Sequence, residues 1–330
     1  MKKLLLCILL FCVMIFGYIL YLDSKYDMKN NQASYSTKQS IGNSVTNTNT
    51  KYINTNNTNN TNNTNTKESK IMSEYELTTA DISKMKSIIS QKITSNMKTA
   101  EKIQAIHDWM ILNTRYDTTY KQHNTHETLN SHIAVSSGYT SLFNAFMDLL
   151  DIPCESISGT ATNSTGKPGN HAWNAVKINN YWYYIDVTWD DPTMNNISDY
   201  KDGYNLRYKY FLISKSTISK DHTSTKSLSP ESPTDYNRDY YNNLELNTYK
   251  KQWAKAGYYT SIIHSTDKFD KFLKKSKTNT NYAIIINRNE VDYNNVIKKI
   301  KKYAKKKHKS SKWHWETKGD IQIVTFYYYY

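Results

Sequence analysis

Cysteine is scarce in this chain. The 330 residues hold three, Cys7, Cys12 and Cys154, and the first two sit inside an apolar amino-terminal run. Cys154 is thus alone in the remainder, which excludes an intrachain disulfide there and leaves stability to an ordinary packed core. Metal motifs are missing as well: there is no helical H-E-x-x-H pattern and no calcium-binding loop, so no metal or cofactor is expected. His123, His126 and His132 fall close together, but without a neighbouring cysteine or a helical pairing they read as solvent-exposed loop residues. Glycine and alanine are few while Asn, Lys, Tyr and Ile are abundant, a usage that fits AT-rich coding and a bacterial source. Acidic residues are outnumbered, 29 against 43 Lys and Arg, for a formal charge of +14. The imbalance lies late, with nineteen basic and seven acidic residues from Tyr240 onward, densest between Lys298 and Lys309. Outside a cell such a patch suits anionic wall polymers or lipid headgroups. Nucleic acid is not the expected partner, and a solvated helix face is the plainer alternative.

One long apolar run stands out. Leu4 to Leu22 is a nearly unbroken stretch of nineteen residues behind Lys2 and Lys3, long enough to cross a bilayer as a helix. No small-x-small cleavage pattern follows it, and the lysines favour a cytoplasmic amino terminus. Residues 1–23 therefore read as a membrane signal anchor with the rest on the extracellular face, or secreted if the segment is cleaved. Residues 24–72 are rich in Asn, Thr, Ser and Lys, with a Thr-Asn repeat from Thr46 to Thr66, and read as a disordered stalk with almost nothing apolar to bury. Folded structure is expected from about Tyr75. Thr78 and Asp81 make a capping box for a helix bearing Ile82, Met85, Ile88 and Ile89. A second helix, about Thr99 to Asn113, places Ile103, Ile106 and Met110 on one stripe.

Residues 170–192 read as a hairpin. Two alternating runs of β-branched and aromatic residues flank Asn179-Asn180, a pair that tolerates the positive φ of a two-residue turn. With that turn Ile178 faces Tyr181, Trp173 lies opposite Asp186 and His171 opposite Thr188. His171 and Asp186 are then diagonal neighbours on the more polar face, about 7–8 Å apart at the backbone. Val176, Ile178, Ile185 and Val187 form the other, core-facing side. A carboxylate so placed would fix the imidazole tautomer and stabilise its protonated form, as the general base of a nucleophile requires; the same pair could equally be structural. Earlier, Leu142, Phe143, Phe146, Met147 and Leu150 recur at helical spacing, with Ser136 and Ser137 at the helix start. Unpaired N–H groups there favour a nucleophile and an oxyanion, although on local evidence a serine at that place is a cap. Ile152 to Gly159 reads as a short strand containing Cys154.

Together these segments resemble the transglutaminase-like superfamily over roughly residues 97–225. Glu101-Lys-Ile-Gln-Ala-Ile-His-Asp108 with Arg115-Tyr-Asp117 looks like the helix before the family's site, and Ala134-Val-Ser-Ser-Gly-Tyr139 like the segment around its nucleophile. His171-Ala-Trp-Asn174 resembles the histidine motif and Tyr184-Ile-Asp-Val-Thr-Trp-Asp-Asp-Pro192 the aspartate motif. Tyr210-Phe-Leu-Ile-Ser214 with Asp221-His222 resembles the closing segment. The resemblance implies an α+β, papain-like fold in which the nucleophile helix packs on an antiparallel sheet carrying the histidine and aspartate. It assigns His171 as general base, Asp186 as orienting acid, and the nucleophile position to Ser136, where the family pattern has cysteine. Ser137, Tyr139, Trp173 and Trp189 flank these positions and are the expected substrate contacts.

The serine matters because a thiol can be pushed to thiolate by a helix terminus and a histidine, whereas a hydroxyl is too weak an acid. His171 would instead have to remove its proton during attack. The expectation is a surface-anchored pseudoenzyme that binds a peptide or cell-wall component. The alternatives are an active amide or ester hydrolase or acyltransferase using Ser136, His171 and Asp186, and a structural or adhesive surface protein acting through its basic carboxy-terminal region. Such a triad implies no cofactor. Residues 73–235 are assigned to the transglutaminase-like domain and 236–330 to a small basic α+β domain. In the latter, strands are expected near Tyr258 to Ile263, Tyr282 to Ile286, Lys312 to Thr317 and Ile321 to Tyr329. Helices near Lys268 to Lys275 and Val291 to Lys305 complete a β-α-β-α-β-β order. Lys318-Gly319 fits a closing turn, and Tyr327 to Tyr330 read as an edge strand.

Overall fold

The computed structural model describes residues 58–121, 124–192, 203–277, 279–307, 309–318 and 320–329. The expected signal anchor lies outside the described residues; among those described, no helix is long and apolar enough to cross a membrane. Helix α1 (Thr58–Glu74) corrects the expectation that folded structure starts near Tyr75. The polar repeat masks a few anchoring positions at its end. Ile71 is 3% exposed, Lys67 pairs with Asp151 at 2.6 Å, and the Tyr75 hydroxyl just beyond donates to Asp148 at 2.7 Å.

Helix α2 (Thr79–Lys92) opens with the expected capping box, and α3 (Thr99–Asn113) buries Ile103, Ile106 and Met110. The histidine-bearing segment is not all loop: Thr125–Ser131 forms a short helix, α4, because Asn124 caps it by accepting from the Glu127 N–H. His126 is exposed on that helix, 2.8 Å from Asp81; His132 closes it in a left-handed conformation; His123 lies outside the described residues. Strand β1 (Arg115–Tyr116) pairs in parallel with β2 (Ile133–Ala134), which fixes the chain just ahead of α5 (Ser136–Leu149).

A four-stranded antiparallel sheet packs on α5, in the order β5-β4-β3-β6, from β3 (Cys154–Thr162), β4 (Pro168–Ile178), β5 (Tyr181–Ile185) and β6 (His222–Thr223). Asn179 and Asn180 adopt φ of 47° and 77°, and Ile178 pairs with Tyr181, as the two-residue turn demands. Two features depart from expectation. The ladder stops at Ile185, and Asp186 caps a short helix, α6 (Val187–Asp190), so Thr188 is helical and does not face His171. Nor is the His171 face polar. Val176, Ile178 and Ile185 pack under the helices, while Trp173, Ala175, Trp182 and Tyr184 enter a second cluster with Ile157 and Tyr210. Both faces of the hairpin are therefore core. The segment after α6 closes the sheet at both edges: Ile213 bridges Tyr184 beside β5, and past the short helix α7 (Lys215–Ile218) the chain adds β6 next to β3.

Helix α8 (Arg238–Lys255) leads into a second sheet made of β7 (Tyr259–Ile263), β8 (Asn281–Asn287), β9 (Ser310–Lys318) and β10 (Ile321–Tyr329), with α9 (Thr266–Lys275) and α10 (Tyr293–Lys306) between them. The order of elements from β7 onward is the expected one. The strand order is β7-β8-β10-β9, with β7 parallel to β8 and the other pairs antiparallel. Strand β10 is interior, not an edge: β8 takes one side and β9 the other. Its alternation explains this, since Val324, Phe326 and Tyr328 pack beneath α9 and α10 while Ile321 and Ile323 meet α8 on the reverse face.

Candidate active site

Three elements deliver the side chains. Strand β4 supplies His171, the residue that ends the β5 ladder supplies Asp186, and α5 begins at Ser136. Asn174 clamps the sheet to α5, donating to Thr140 O and Asn144 Oδ1, each at 3.1 Å. His171 Nε2 lies 2.6 Å from Asp186 Oδ2, and the other carboxylate oxygen accepts the Trp189 N–H at 3.1 Å. The sequence-predicted pair is thus brought together, by a helix cap and not by diagonal strand neighbours. Asp186 is fully buried. Burial alone would raise its carboxyl, but His171 and His222 outweigh that by charge and hydrogen bonding and hold it at about 2.

His222 is the member that motif reading did not assign. Its Nε2 meets the same Asp186 oxygen at 3.0 Å, and its Nδ1 meets Asp221 Oδ1 at 2.7 Å. The Tyr210 hydroxyl donates to the other Asp221 oxygen at 2.7 Å. Trp189 packs against both rings, at 5.2 Å from His171 and 4.5 Å from His222. The adjacent Asp221-His222 pair was the available signal. Among the described residues, His171, Asp186 and His222 form the cluster whose ligand atoms converge, all within 4.8 Å of one another, and these residues could hold a metal.

Ser136 is half-buried at the first turn of α5, and its Oγ forms no hydrogen bond with a described residue. It is not the cap: Val135 takes that position with no side-chain bond. The amides of Gly138 and Tyr139 already bond to Val135 O, which leaves those of Ser136 and Ser137 at the open end of the helix. Of the expected substrate contacts, Ser137 is exposed and Trp189 is half-buried at a cavity. Tyr139 and Trp173 are corrections, being 1% and 2% exposed and offering no surface to a ligand. Their sequence position beside the motif says nothing of side-chain direction. Tyr139 faces inward and donates to Asp191 at 2.6 Å.

Buried charge also secures the surroundings. His107 on α3 lies 2.9 Å from Asp108 and 3.2 Å from Asp190, tying that helix to α6. Burial would lower its pKa, but the two carboxylates prevail and raise it to about 9. Burial pushes the Cys154 thiol up, which keeps it a thiol on the far side of Asn174. Beside Trp189 a cavity of about 620 Å³ is bordered by Arg207, Lys209, Tyr249 and Trp253, with the Arg207 guanidinium 4.1 Å above the Tyr249 ring.

A family model for the transglutaminase-like superfamily matches residues 87–187, a span that includes Ser136, His171 and Asp186. The chain contains a transglutaminase-like domain. Kyphoscoliosis peptidase from Homo sapiens is 24% identical over 183 residues, covering 51% of this chain and 28% of that protein. The Mus musculus kyphoscoliosis peptidase is 21% identical over 218 residues, covering 61% and 32%. The chain thus spans a third or less of these relatives' length. A crystal structure of a TGase is 16% identical, covering 48% of this chain and 37% of that one, with a TM-score of 0.27. The transglutaminase-like domain has the papain-like arrangement expected of it: a nucleophile-position helix packed on an antiparallel sheet that carries His171.

Proposed function

We propose that this is a membrane-anchored, extracellular binding module of bacterial cell-surface type, whose transglutaminase-like domain holds a peptide or wall component without turning it over. The observation that carries this reading is Ser136. It stands where the resemblance puts a cysteine, and its Oγ makes no hydrogen bond to His171 although the His171–Asp186 contact is 2.6 Å. A hydroxyl gains too little acidity from a helix terminus to sit as a resting anion, so the base has no ready nucleophile. The cavity beside Trp189, bordered by aromatic side chains and by charges of both signs, Arg207, Lys209 and Lys318 with Glu245 and Glu316, suits an extended peptide.

The test is a fluorophosphonate probe on the full-length chain in detergent, read by intact mass, with Ser136→Ala alongside. No adduct is expected on folded protein. An adduct that disappears in Ser136→Ala would replace this reading with a hydrolase or acyltransferase, which the intact buried Asp186 and the relatives' name of peptidase favour. In that chemistry Ser136 Oγ would attack the carbonyl carbon as its proton passes to His171. Asp186 would stabilise the imidazolium, and the Ser136 and Ser137 amides would hold the oxyanion. The proton would then leave with the departing amine or alcohol.

The adhesive alternative rests on a groove of about 470 Å³ between α9 and α10, bordered by Lys274, Lys298, Lys299, Lys302 and Lys306. Charge reversal at Lys298, Lys299, Lys301 and Lys302 separates it from the others. Retention on wall or membrane should fall only if that patch is the functional surface.

A further inference from the structure

We infer that His171, Asp186 and His222 form a three-ligand site for a divalent transition-metal ion of the zinc type. The inference starts from a surplus. A general base oriented by an acid needs one imidazole on the carboxylate, yet two converge on the same oxygen, Asp186 Oδ2, at 2.6 and 3.0 Å. The second, His222, is fully buried and serves neither reading of Ser136, so the inference stands whether or not that serine reacts.

The donor set is right for such an ion: two imidazole nitrogens and one carboxylate oxygen, with all three atoms within 4.8 Å of each other. Zinc binds such atoms at about 2.0–2.2 Å, which in a tetrahedral site spaces the donors a little over 3 Å apart. His171 Nε2 and His222 Nε2 lie 2.6 and 3.0 Å from Asp186 Oδ2, and all three atoms fall within 4.8 Å, so side-chain rotations that bring the three spacings to that value would admit the ion. Asp186 is prepared for the role because its Oδ1 is taken by the Trp189 N–H at 3.1 Å, which turns Oδ2 inward. His222 carries the outer support that metal-bound histidines have. Asp221 accepts from its Nδ1 at 2.7 Å and is itself fixed by the Tyr210 hydroxyl at 2.7 Å, so Nε2 is aimed at the cluster. Trp173, Trp189 and Tyr210 pack against the two imidazoles and lower the local dielectric, which strengthens binding to a dication.

Charge and protons balance. Without metal, His222 faces a carboxylate at each nitrogen, Asp186 at Nε2 and Asp221 at Nδ1, while His171 meets Asp186 through Nε2. An imidazole binds a metal through an unprotonated nitrogen, so any proton on either Nε2 passes to solvent or to the other ring nitrogen as the ion enters. The ion's two positive charges then meet Asp186 and Asp221. Three protein ligands leave a fourth position for water or an anionic group. An ion so held takes His171 Nε2 away from Asp186, so metal binding and base chemistry exclude one another.

The experiment uses the full-length chain in detergent, purified without a histidine tag. Zinc affinity is measured by competition with a chromophoric chelator, and Co(II) serves as an optical reporter of coordination. Wild type should take up one equivalent of zinc, and its Co(II) form should show the intense visible bands of a four-coordinate ion. His222→Gln should abolish both, whereas His126→Gln, on the exposed face of α4, should change neither. Asp221→Asn leaves all three ligands in place and should weaken zinc by about 10–100-fold. This second variant decides the matter if His222→Gln fails to fold. No stoichiometric zinc uptake by wild type, or an affinity indifferent to both His222→Gln and Asp221→Asn, would overturn the site.

Discussion

At the scale of single residues, Asp191 is the most exposed to test. It is 6% accessible, its Oδ2 accepts the Tyr139 hydroxyl at 2.6 Å, and its Oδ1 meets no donor. The buried Asn205 Oδ1 is likewise without a donor among the described residues, while the Asn205 amide nitrogen donates to Ile111 O at 2.7 Å. A proton on Asp191 removes the cost of burying an ionised carboxylate whose Oδ1 has no donor. Burial, only partly offset by the hydrogen bond from Tyr139, pushes its pKa up to about 8. The folded state therefore holds a proton that the unfolded chain releases near its ordinary 3.8. Stability from this group is full below about 3.8 and is lost as pH rises through about 8, at roughly 1 kcal/mol per pH unit in between. Asp191→Asn places a permanent donor where the proton sits. Urea midpoints at pH 5 and pH 8 should show the variant losing most of that slope and exceeding wild type at pH 8. A variant weaker than wild type at pH 8, with the slope intact, would mean that Asp191 is ionised and paired. His107 acts in the same sense through its own window: its stabilisation is full below about 6.5 and is lost as pH rises through about 9, so some slope remains in Asp191→Asn.

At the scale of elements, the approach of β6 to β3 decides whether His222 reaches Asp186. Gly159 permits it, because a Cβ there would lie 2.1 Å from Thr223 O and 2.8 Å from Trp173 Cη2. The first clash is with backbone and cannot be relieved by a side-chain rotation. Gly159→Ala should push β6 off the sheet edge, cost about 1–3 kcal/mol in urea unfolding, and remove zinc uptake from protein that remains folded. An unchanged midpoint would mean that β6 is not held where its pairing with Thr160 and Ala161 puts it. Other elements were legible because a local rule dictated them. The Thr78 and Asp81 capping box, the stripe of α3 and the Asn179-Asn180 turn each depend on neighbours a few residues away, and the turn alone fixed which residues of β4 and β5 pair. What was not legible depended on distant partners. The end of the ladder at Ile185 follows from Asp186 capping α6, and the interior place of β10 depends on β8. His222 joins the site through β6, a strand of two residues whose neighbour lies some sixty residues earlier. Helix α8 escaped notice because its buried stripe, Tyr241, Glu245 and Tyr249, is polar at its centre. Glu245 can lie there only because Arg207 is alongside and the Tyr208 N–H donates to it at 3.1 Å.

For the whole molecule, α8 bears on whether the chain from Asn59 onward unfolds once or twice. Its Tyr241 belongs to the cluster packed between the first helices and the first sheet, one turn from Glu245 and its bond to Tyr208 N. Its Leu246 and Tyr249 belong to the cluster under the second sheet, against Ile285, Ile321 and Ile323. A rigid helix that contributes side chains to two cores transmits the loss of one to the other, since melting α8 exposes apolar surface on both. Residues 59–330 form one compact unit on these contacts. Leu246 is 1% exposed, and truncating it to alanine removes packing from the second core alone, at a cost of about 2–4 kcal/mol. If α8 couples the cores, the variant should melt in a single transition at lower temperature, and native-state hydrogen exchange should accelerate to a similar degree in β4 and in β10. Acceleration confined to β7, β8, β9 and β10, with β4 unchanged, would show instead that the second sheet opens independently and that α8 merely spans the gap.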